Sequence, residues 1–264
     1  MTDTLSIGIV SFNSGAVLAD TLSSVLGNLP STIPSQVWLL DNGSADESLA
    51  IANQFARSDS RLSVIANGRN RGFAHGHNRI LEQVDSTFHV FCNPDVALTT
   101  GTLDTLVTFL RQTPDAAVVC PRVHFTDGRL QPLNRRHPTL WDLFLRRFMP
   151  RPLRRPFDGR MRRYDMRDRG YESSYDVPFV SGAFMMVRTA IVKAAGGFDE
   201  RYFLYFEDAD LSRTMQERGW RTIFCPDAVI THAWRREAHS SVSGALVFCV
   251  SAFRYFNKWG WRLL

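Results

Sequence analysis

The chain has 264 residues, 44% hydrophobic and 22% charged, with a formal net charge of +5. These values are expected of a soluble globular protein with room for a sizeable α/β core, and they exclude a disordered chain. No uninterrupted apolar run reaches the ~20 residues of a membrane-spanning helix, and Cys92, Cys120, Cys225 and Cys249 lack metal-ligand spacing.

The chain opens without a basic segment followed by an apolar one, so no signal peptide is expected and the cysteines read as reduced, mostly buried small hydrophobes. Residues 5–12, LSIGIVSF, form an apolar β-branched run, a buried strand. Helical spacing follows at 17–29, then a strand at 36–41. Ser44-Ala-Asp-Glu47 fits a capping box that opens a helix over 46–56. The alternation continues with strands at 62–66, 87–92 and 116–123 and helices at 73–84 and 102–112. Alternating strands and helices predict a mainly parallel sheet covered on both faces.

Ligands of such sheets sit beyond the carboxyl ends of the strands. There the chain carries Ser11 and Asn13, then Asp41-Asn-Gly-Ser44, then NGRNRGFAHGHN over 67–78, then Asn93-Pro-Asp95. Asn, Asp and Gly dominate ordinary turns, but four polar turns in succession on one sheet edge point to a binding crevice.

After a turn at 126–129 the pattern weakens. Residues 146–169 hold ten arginines and three prolines, which reads as an irregular solvated loop, a lid or an anionic-surface contact. An apolar stretch over 177–188 is broken at Ser181-Gly182, and a short helix covers 189–196. A further helix runs from Asp208 to Arg218, stopped by Gly219. Short strands follow at 220–226 and 228–232, and the tail from Ser240 to Trp261 is an apolar helix. Only Lys193 and Lys258 are lysines. An arginine excess suits phosphate, an anionic membrane face or nucleic acid, or reflects a GC-rich genome.

YFLYFEDADL, residues 202–211, places Glu207, Asp208 and Asp210 beside an aromatic run. Helical geometry puts Glu207 and Asp210 on one face, with Asp208 rotated roughly 100° away. One acid can face a cavity while the others anchor a helix start favourable to negative charge. A carboxylate in an apolar surround has its pKa raised toward that of a general base. Asp95 offers oxygen to Mg2+ or Mn2+. His232, at a strand end, is either a structural histidine or the partner of Asp95 in a divalent-metal site.

The stretches VSFN (10–13), DNGS (41–44), NRGFAHGHN (70–78), NPDV (93–96), FVSGAFMMVR (179–188), GGFDERYFLYFEDADLSRTMQERGW (196–220) and ITHAW (230–234) together resemble family 2 inverting glycosyltransferases. The nearest likeness is to the rhamnosyltransferase branch of bacterial surface-polysaccharide synthesis. The resemblance implies an α/β GT-A nucleotide-diphospho-sugar transferase fold over 1–239, with a nucleotide-sugar-binding half (1–125) and an acceptor or catalytic half (126–239). Residues 240–264 would add a C-terminal amphipathic helix. It implies donor binding by Ser11, Asn13, Asp41, Asn70, Gly72, Phe73, Asn78, Asn93 and Asp95, and an acceptor side of Ser181, Gly182, Glu207 and Asp210. Asp208 would be the catalytic base, and Asp95 with His232 would hold Mg2+ or Mn2+. Asn93 stands where the family's metal motif has its first acid, which weakens that site.

The implied reaction moves a sugar, dTDP-L-rhamnose being the expected donor, to a hydroxyl of a glycan or lipid-linked glycan. The expected location is cytoplasmic, peripheral at the inner face of the membrane, with an anionic membrane surface as partner and no nucleic acid. The tail supports the membrane expectation through Arg254, Lys258 and Arg262 beside bulky aromatics; packing of that tail on the protein itself is the alternative. Two other functions stay open. A nucleotidyltransferase carries a basic Gly-rich loop after its first strand, where this chain has SFNSG. An inactive nucleotide-sugar-binding relative would keep the turns without the chemistry.

Overall fold

The structure, a computed structural model, describes residues 2–233 and 242–264. Trp234 of the ITHAW stretch and the expected boundary between 239 and 240 lie outside the described residues. The first half follows the alternating pattern: β1 (Leu5–Ser11), α1 (Gly15–Gly27), β2 (Ser35–Asp41), α2 (Ser48–Ser58), β3 (Leu62–Ala66), α3 (Phe73–Leu81) and β4 (Phe88–Cys92). A three-residue strand absent from the sequence reading, β5 (Val96–Leu98), precedes α4 (Thr102–Gln112) and β6 (Ala116–His124). With β7 (Tyr175–Asp176), β8 (Phe184–Arg188) and β9 (Arg221–His232), the described residues form one nine-stranded sheet in the order β3-β2-β1-β4-β8-β6-β9-β5, with β7 beside β9.

Strands β3, β2, β1 and β4 are parallel neighbours. Beyond β4 the sheet becomes mixed, because β8 (Phe184–Arg188) enters antiparallel between β4 and β6. Every residue of β1 is buried, as expected where helices cover both faces. Leu5, Ile7, Ile9, Val37, Leu39 and Val90 fill one face of the sheet under α1, α2 and α4. Val10, Leu40 and Phe91 face the other side, with Ala74 and Ile80 of α3. The carboxyl ends of β1, β2 and β4 therefore open on one edge, where the order reverses around β1.

The structure departs from expectation in four places. First, the arginine-rich segment is helical: α5 (Leu140–Arg147), α6 (Arg151–Arg154), a 3-10 turn (Arg155–Phe157) and α7 (Asp158–Tyr164). Leu145, Met161 and Tyr164 form its own small core. Its arginines are partnered from a distance, Arg146 with Asp165 and Arg160 with Asp142 at 2.6 Å. Second, the capping box is not at Ser44, since α2 begins at Ser48 without a side-chain cap. Asp46 instead accepts from the Ser48 N–H at 3.0 Å and the Gly15 N–H at 2.9 Å. The box that does form is Thr139–Asp142, opening α5. Third, the two short strands expected at 220–232 are one, β9 (Arg221–His232), whose pairing with β6 skips register around Pro226.

The fourth departure is the tail. After β7 (Tyr175–Asp176), α8 (Thr189–Ala194) and α9 (Glu207–Glu217), the helix α10 (Val242–Trp259) packs on the protein itself. Tyr255 and Phe256 join Leu143, Phe179, Tyr202, Phe206 and Ala209 in a third core cluster. Lys258, expected on a basic membrane stripe, pairs with Asp210 at 2.8 Å and Asp199 at 3.2 Å.

Candidate active site

Ser11 and Asp41 are register partners at the ends of β1 and β2. Both are buried, and neither Ser11 Oγ nor Asp41 Oδ1 has a hydrogen-bond partner among the described residues. The other Asp41 oxygen, Oδ2, accepts from the Gly43 and Ser44 N–H groups at 3.1 and 3.0 Å. Buried polar atoms are nearly always bonded, so an adjacent hydroxyl and carboxylate oxygen left without partners describe a site built for a ligand's polar edge. Asn13, in the left-handed region at φ 51°, accepts from the Ala45 N–H at 2.9 Å and gives its own N–H to Ser44 Oγ. That ties the β1 turn to the β2 turn.

The third turn is held by a residue the sequence reading passed over. Asn42 donates to Asn70 Oδ1 at 3.0 Å and to the Gly72 carbonyl at 3.1 Å, and accepts from Asn67 at 2.9 Å. Asn70 also accepts from the Gly72 N–H. Gly72 has φ 91°, and a Cβ there would collide with the Phe203 carbonyl. Only glycine satisfies both demands. The Phe73 N–H donates to that same carbonyl at 2.9 Å, so this turn is clamped to the segment leading into α9. Asn78 does not face the crevice turns as expected. Its amide exchanges two hydrogen bonds with the Phe198 backbone and donates to Glu200 at 3.1 Å, fixing the 197–200 turn.

At the end of β4 the Asn93 N–H donates to the Ala183 carbonyl at 2.9 Å. Val96 pairs with His232 across β5 and β9, which brings His232 Nε2 to 3.2 Å from Asp95 Oδ1. His232 Nδ1 lies 2.9 Å from the Oε1 of buried Gln131. An amide oxygen only accepts, so Nδ1 carries the proton, and in the neutral imidazole Nε2, with Asn93 Nδ2 3.5 Å away, offers a lone pair to a donor or a cation. That lone pair faces a carboxylate oxygen, a pairing that a cation between them would satisfy. Carboxylate and imidazole suit Mg2+ or Mn2+, and a second-shell acceptor such as Gln131 orients a ligating histidine. Among the described residues no third His, Cys, Asp or Glu joins them. The residues fit a divalent ion whose remaining ligands come from substrate oxygens and water.

Facing these turns is the start of α9. Tyr205 and Phe206 both have left-handed backbones, at φ 71° and 69°; such strain in non-glycine residues concentrates at functional sites. Glu207 is buried, its Oε2 has no partner among the described residues, and burial together with Asp208 pushes its carboxyl well above the ordinary range. Asp208 is half-buried. Its Oδ2 accepts the Gly182 N–H at 2.8 Å and its Oδ1 the Ala209 N–H at 2.9 Å. Burial raises its pKa, while those N–H groups and the charge of Arg135 pull it back. Both carboxyls are raised, Glu207 further than Asp208, whose charged form is favoured by the Gly182 N–H and the Arg135 guanidinium.

Asp210 is not on the acceptor side. It is buried and accepts from Trp259 Nε1 at 2.7 Å, Lys258 Nζ at 2.8 Å and the Tyr202 hydroxyl at 3.2 Å. It fastens α10 to α9. Ser181 is half-buried and Gly182 buried, and both stand beside Asp208 through the Gly182 contact. Arg135, absent from the sequence reading, lies with its guanidinium 5.4 Å from the Phe179 ring centre and 4.0 Å from Asp165. Its only sequence signal was a basic pair, Arg135-Arg136, in an unpatterned stretch.

The profile of a family described as glycosyltransferase like family 2 matches residues 3–246. An N-acetylglucosaminyl-diphospho-decaprenol L-rhamnosyltransferase of Mycobacterium tuberculosis is 30% identical over 256 residues, covering 91% of this chain and 78% of that protein. Among solved structures, the mannosyltransferase PcManGT from Pyrobaculum calidifontis, in complex with GDP-Man and Mn2+, superposes with TM-score 0.64 at 16% identity. The superposition covers 90% of this chain and 59% of that one. The S. aureus TarS fragment 1-349 with UDP-GlcNAc superposes with TM-score 0.65 at 18% identity, covering 96% of this chain and 67% of that one.

Proposed function

The chain belongs to glycosyltransferase like family 2 and is a glycosyltransferase of GT-A fold; from that premise we propose that it transfers L-rhamnose from dTDP-L-rhamnose, with inversion, to a hydroxyl of a lipid-linked glycan. The sugar and the lipid-linked acceptor are taken from the likeness to the decaprenol-linked L-rhamnosyltransferase. The observation that carries the reaction is Asp208, a half-buried carboxylate with two backbone N–H bonds, opposite strand ends that leave Ser11 Oγ and Asp41 Oδ1 unpartnered.

In this reading Asp41 and Ser11 take the polar edge of the nucleotide base or ribose, and the Asn13 and Asn70–Phe73 turns shape the walls around it. Asp208 removes the proton from the acceptor hydroxyl. The oxygen forms a bond to the anomeric carbon from the face opposite the nucleotide, and the bond from that carbon to the phosphate oxygen breaks with its electron pair leaving on the diphosphate. In-line attack inverts the configuration, and holding the two substrates in line supplies much of the rate. Asp95 and His232 would hold Mg2+ or Mn2+, which when bound neutralises the leaving diphosphate. The aromatic segment Tyr202–Phe206 excludes water from the base. The reading assigns the protein to the cytoplasm, beside the membrane that carries its acceptor. No described helix is long and apolar enough to cross that membrane.

Thermal shift against dTDP-L-rhamnose, UDP-galactofuranose and UDP-GlcNAc, each with Mg2+, Mn2+ or EDTA, tests the reading, since a specific ligand raises apparent stability by mass action. The expected result is the largest rise with dTDP-L-rhamnose and metal together. An equal rise in EDTA removes the metal from the reading, and a larger rise with another donor reassigns the sugar.

A further inference from the structure

The α10 helix has two apolar faces, and among the described residues only one is covered. Tyr255, Phe256 and the partly buried Phe248, Ala252 and Trp259 pack inward. On the opposite side Leu246 (66% exposed), Val250 (41%) and Phe253 (56%) recur at helical spacing and meet solvent. The exposed surface continues beyond the helix. Phe253 touches Trp261 with ring centres 5.7 Å apart, and the Leu263 carbonyl accepts from the Trp141 N–H of α5 at 3.2 Å. Trp141 stacks on Phe144 at 5.3 Å, and Phe144 on Phe148 at 6.4 Å; both phenylalanines are exposed. The 3-10 turn meets this strip through Phe157, whose ring lies 5.6 Å from Trp141; that turn and α7 present exposed Arg155, Arg162 and Arg163, and α10 and its extension present exposed Arg254 and Arg262.

We propose that this strip, from Leu246 through Phe253 and Trp261 to Phe144 and Phe148, docks the protein on an anionic lipid bilayer. A contiguous exposed apolar patch marks an interaction surface. Flanking arginines and an interfacial tryptophan choose a bilayer over a protein groove, because they supply both attraction to anionic headgroups and an anchor at headgroup depth. The face differs from the one the sequence suggested: Tyr255, Phe256 and Lys258 belong to the inner side. The inner side also holds the base-bearing segment, with Ser251 Oγ donating to the Leu204 carbonyl at 2.8 Å. A bilayer on the outer side therefore lies about one helix diameter, some 10–12 Å, from that segment. The inference rests on the lipid-linked acceptor reading for its purpose only, since vesicle binding requires neither donor nor acceptor.

Full-length protein is floated with phosphatidylcholine vesicles with and without phosphatidylglycerol, at low and high salt. The expected result is salt-sensitive binding to the phosphatidylglycerol vesicles, at least about tenfold weaker in Leu246→Glu/Phe253→Glu as inserted apolar area is lost. Arg155→Glu/Arg162→Glu should lose the salt-sensitive part. Donor-induced thermal shift in both variants reports the intact fold. Wild-type protein left unbound by every vesicle, or equal binding by the Glu variant, overturns the proposal. So does sedimentation as a dimer that Phe253→Glu converts to monomer, because the strip would then be covered by a second copy.

Discussion

The two sides of the crevice hold their carboxylates by opposite means. Asp41 is fixed by its own turn: Gly43 and Ser44, two and three residues on, bind one oxygen and leave the other open. Asp208 is fixed by residues far away in sequence, with the Gly182 N–H on one oxygen and the charge of Arg135 behind it. The helix that carries Asp208 is in turn bolted to α10 through Asp210. A local turn needs only its strand. A carboxylate held from distant segments depends on the packing of the whole second half, and can be displaced without touching the crevice.

The largest break is chemical. Asp208→Asn keeps an acceptor for the Gly182 N–H and should leave fold and donor-induced thermal shift unchanged, yet lower transfer by on the order of 10²–10⁴, the usual contribution of a general base. Near-normal turnover would remove Asp208 from the mechanism. Asp41→Asn should do the reverse, weakening donor binding first and acting on transfer through it.

The same contrast explains what could be read in advance. The strands β1 to β4 and their polar ends were legible because each is a local pattern: an apolar run, then Asn, Asp or Gly. Helices α5 to α7 were not. Their arginines look like a solvated loop until Asp142 and Asp165 pair with them from 18 and 19 residues away. The Thr139–Asp142 box was overlooked beside a better-looking one at Ser44, which the chain does not use because Asp46 turns to Gly15. The amphipathic tail was visible, but not which face is covered, since that depends on Tyr202, Phe206 and Leu143. Asp210 looked like a site acid for the same reason: its partners are 48 and 49 residues further on.

The next break is structural and falls on that bolt. Asp210→Ala leaves Trp259 Nε1 and the Tyr202 hydroxyl without their acceptor and Lys258 with Asp199 alone. Removing one member of a buried charged network costs about 3 kcal/mol, so the urea midpoint should drop clearly and transfer should fall with it. Asp46→Ala, the matching change in the first half, removes an exposed acceptor for the Ser48 and Gly15 N–H groups and should cost about 1 kcal/mol. Equal losses from the two variants would mean that the second half is no more interdependent than the first.

The last break is a pH slope, and histidines in both halves contribute to it. His89, in β4, hydrogen-bonds Ser6 Oγ through Nδ1 at 2.7 Å, and burial with the nearby charge of Lys193 lowers its pKa to about 3. His77 is lowered too, by burial and by His89. His137 joins α9 to α10, with Nε2 at 3.0 Å from Gln216 Oε1 and Nδ1 at 3.4 Å from the Tyr255 hydroxyl; burial, Arg213 and Arg262 lower it to about 4. Each of these side chains takes up a proton below about 6.5 when unfolded but stays neutral when folded. Stability is therefore complete above that pH and falls as pH drops toward 4, by up to about 1.4 kcal/mol per unit for each histidine. Urea midpoints between pH 5 and 6.5 should show this slope, and His137→Gln should flatten it by one histidine's share; an unchanged slope would mean that His137 is already charged in the fold. The halves should also separate. His89 lies under β1, so its protonation waits for global unfolding. His137 lies where α10 meets α9, so an opening of the tail alone exposes it. Mild acid should then cost the α10 amides their hydrogen-exchange protection while the β1–β4 amides keep theirs, and loss of both together would show that the tail does not open on its own.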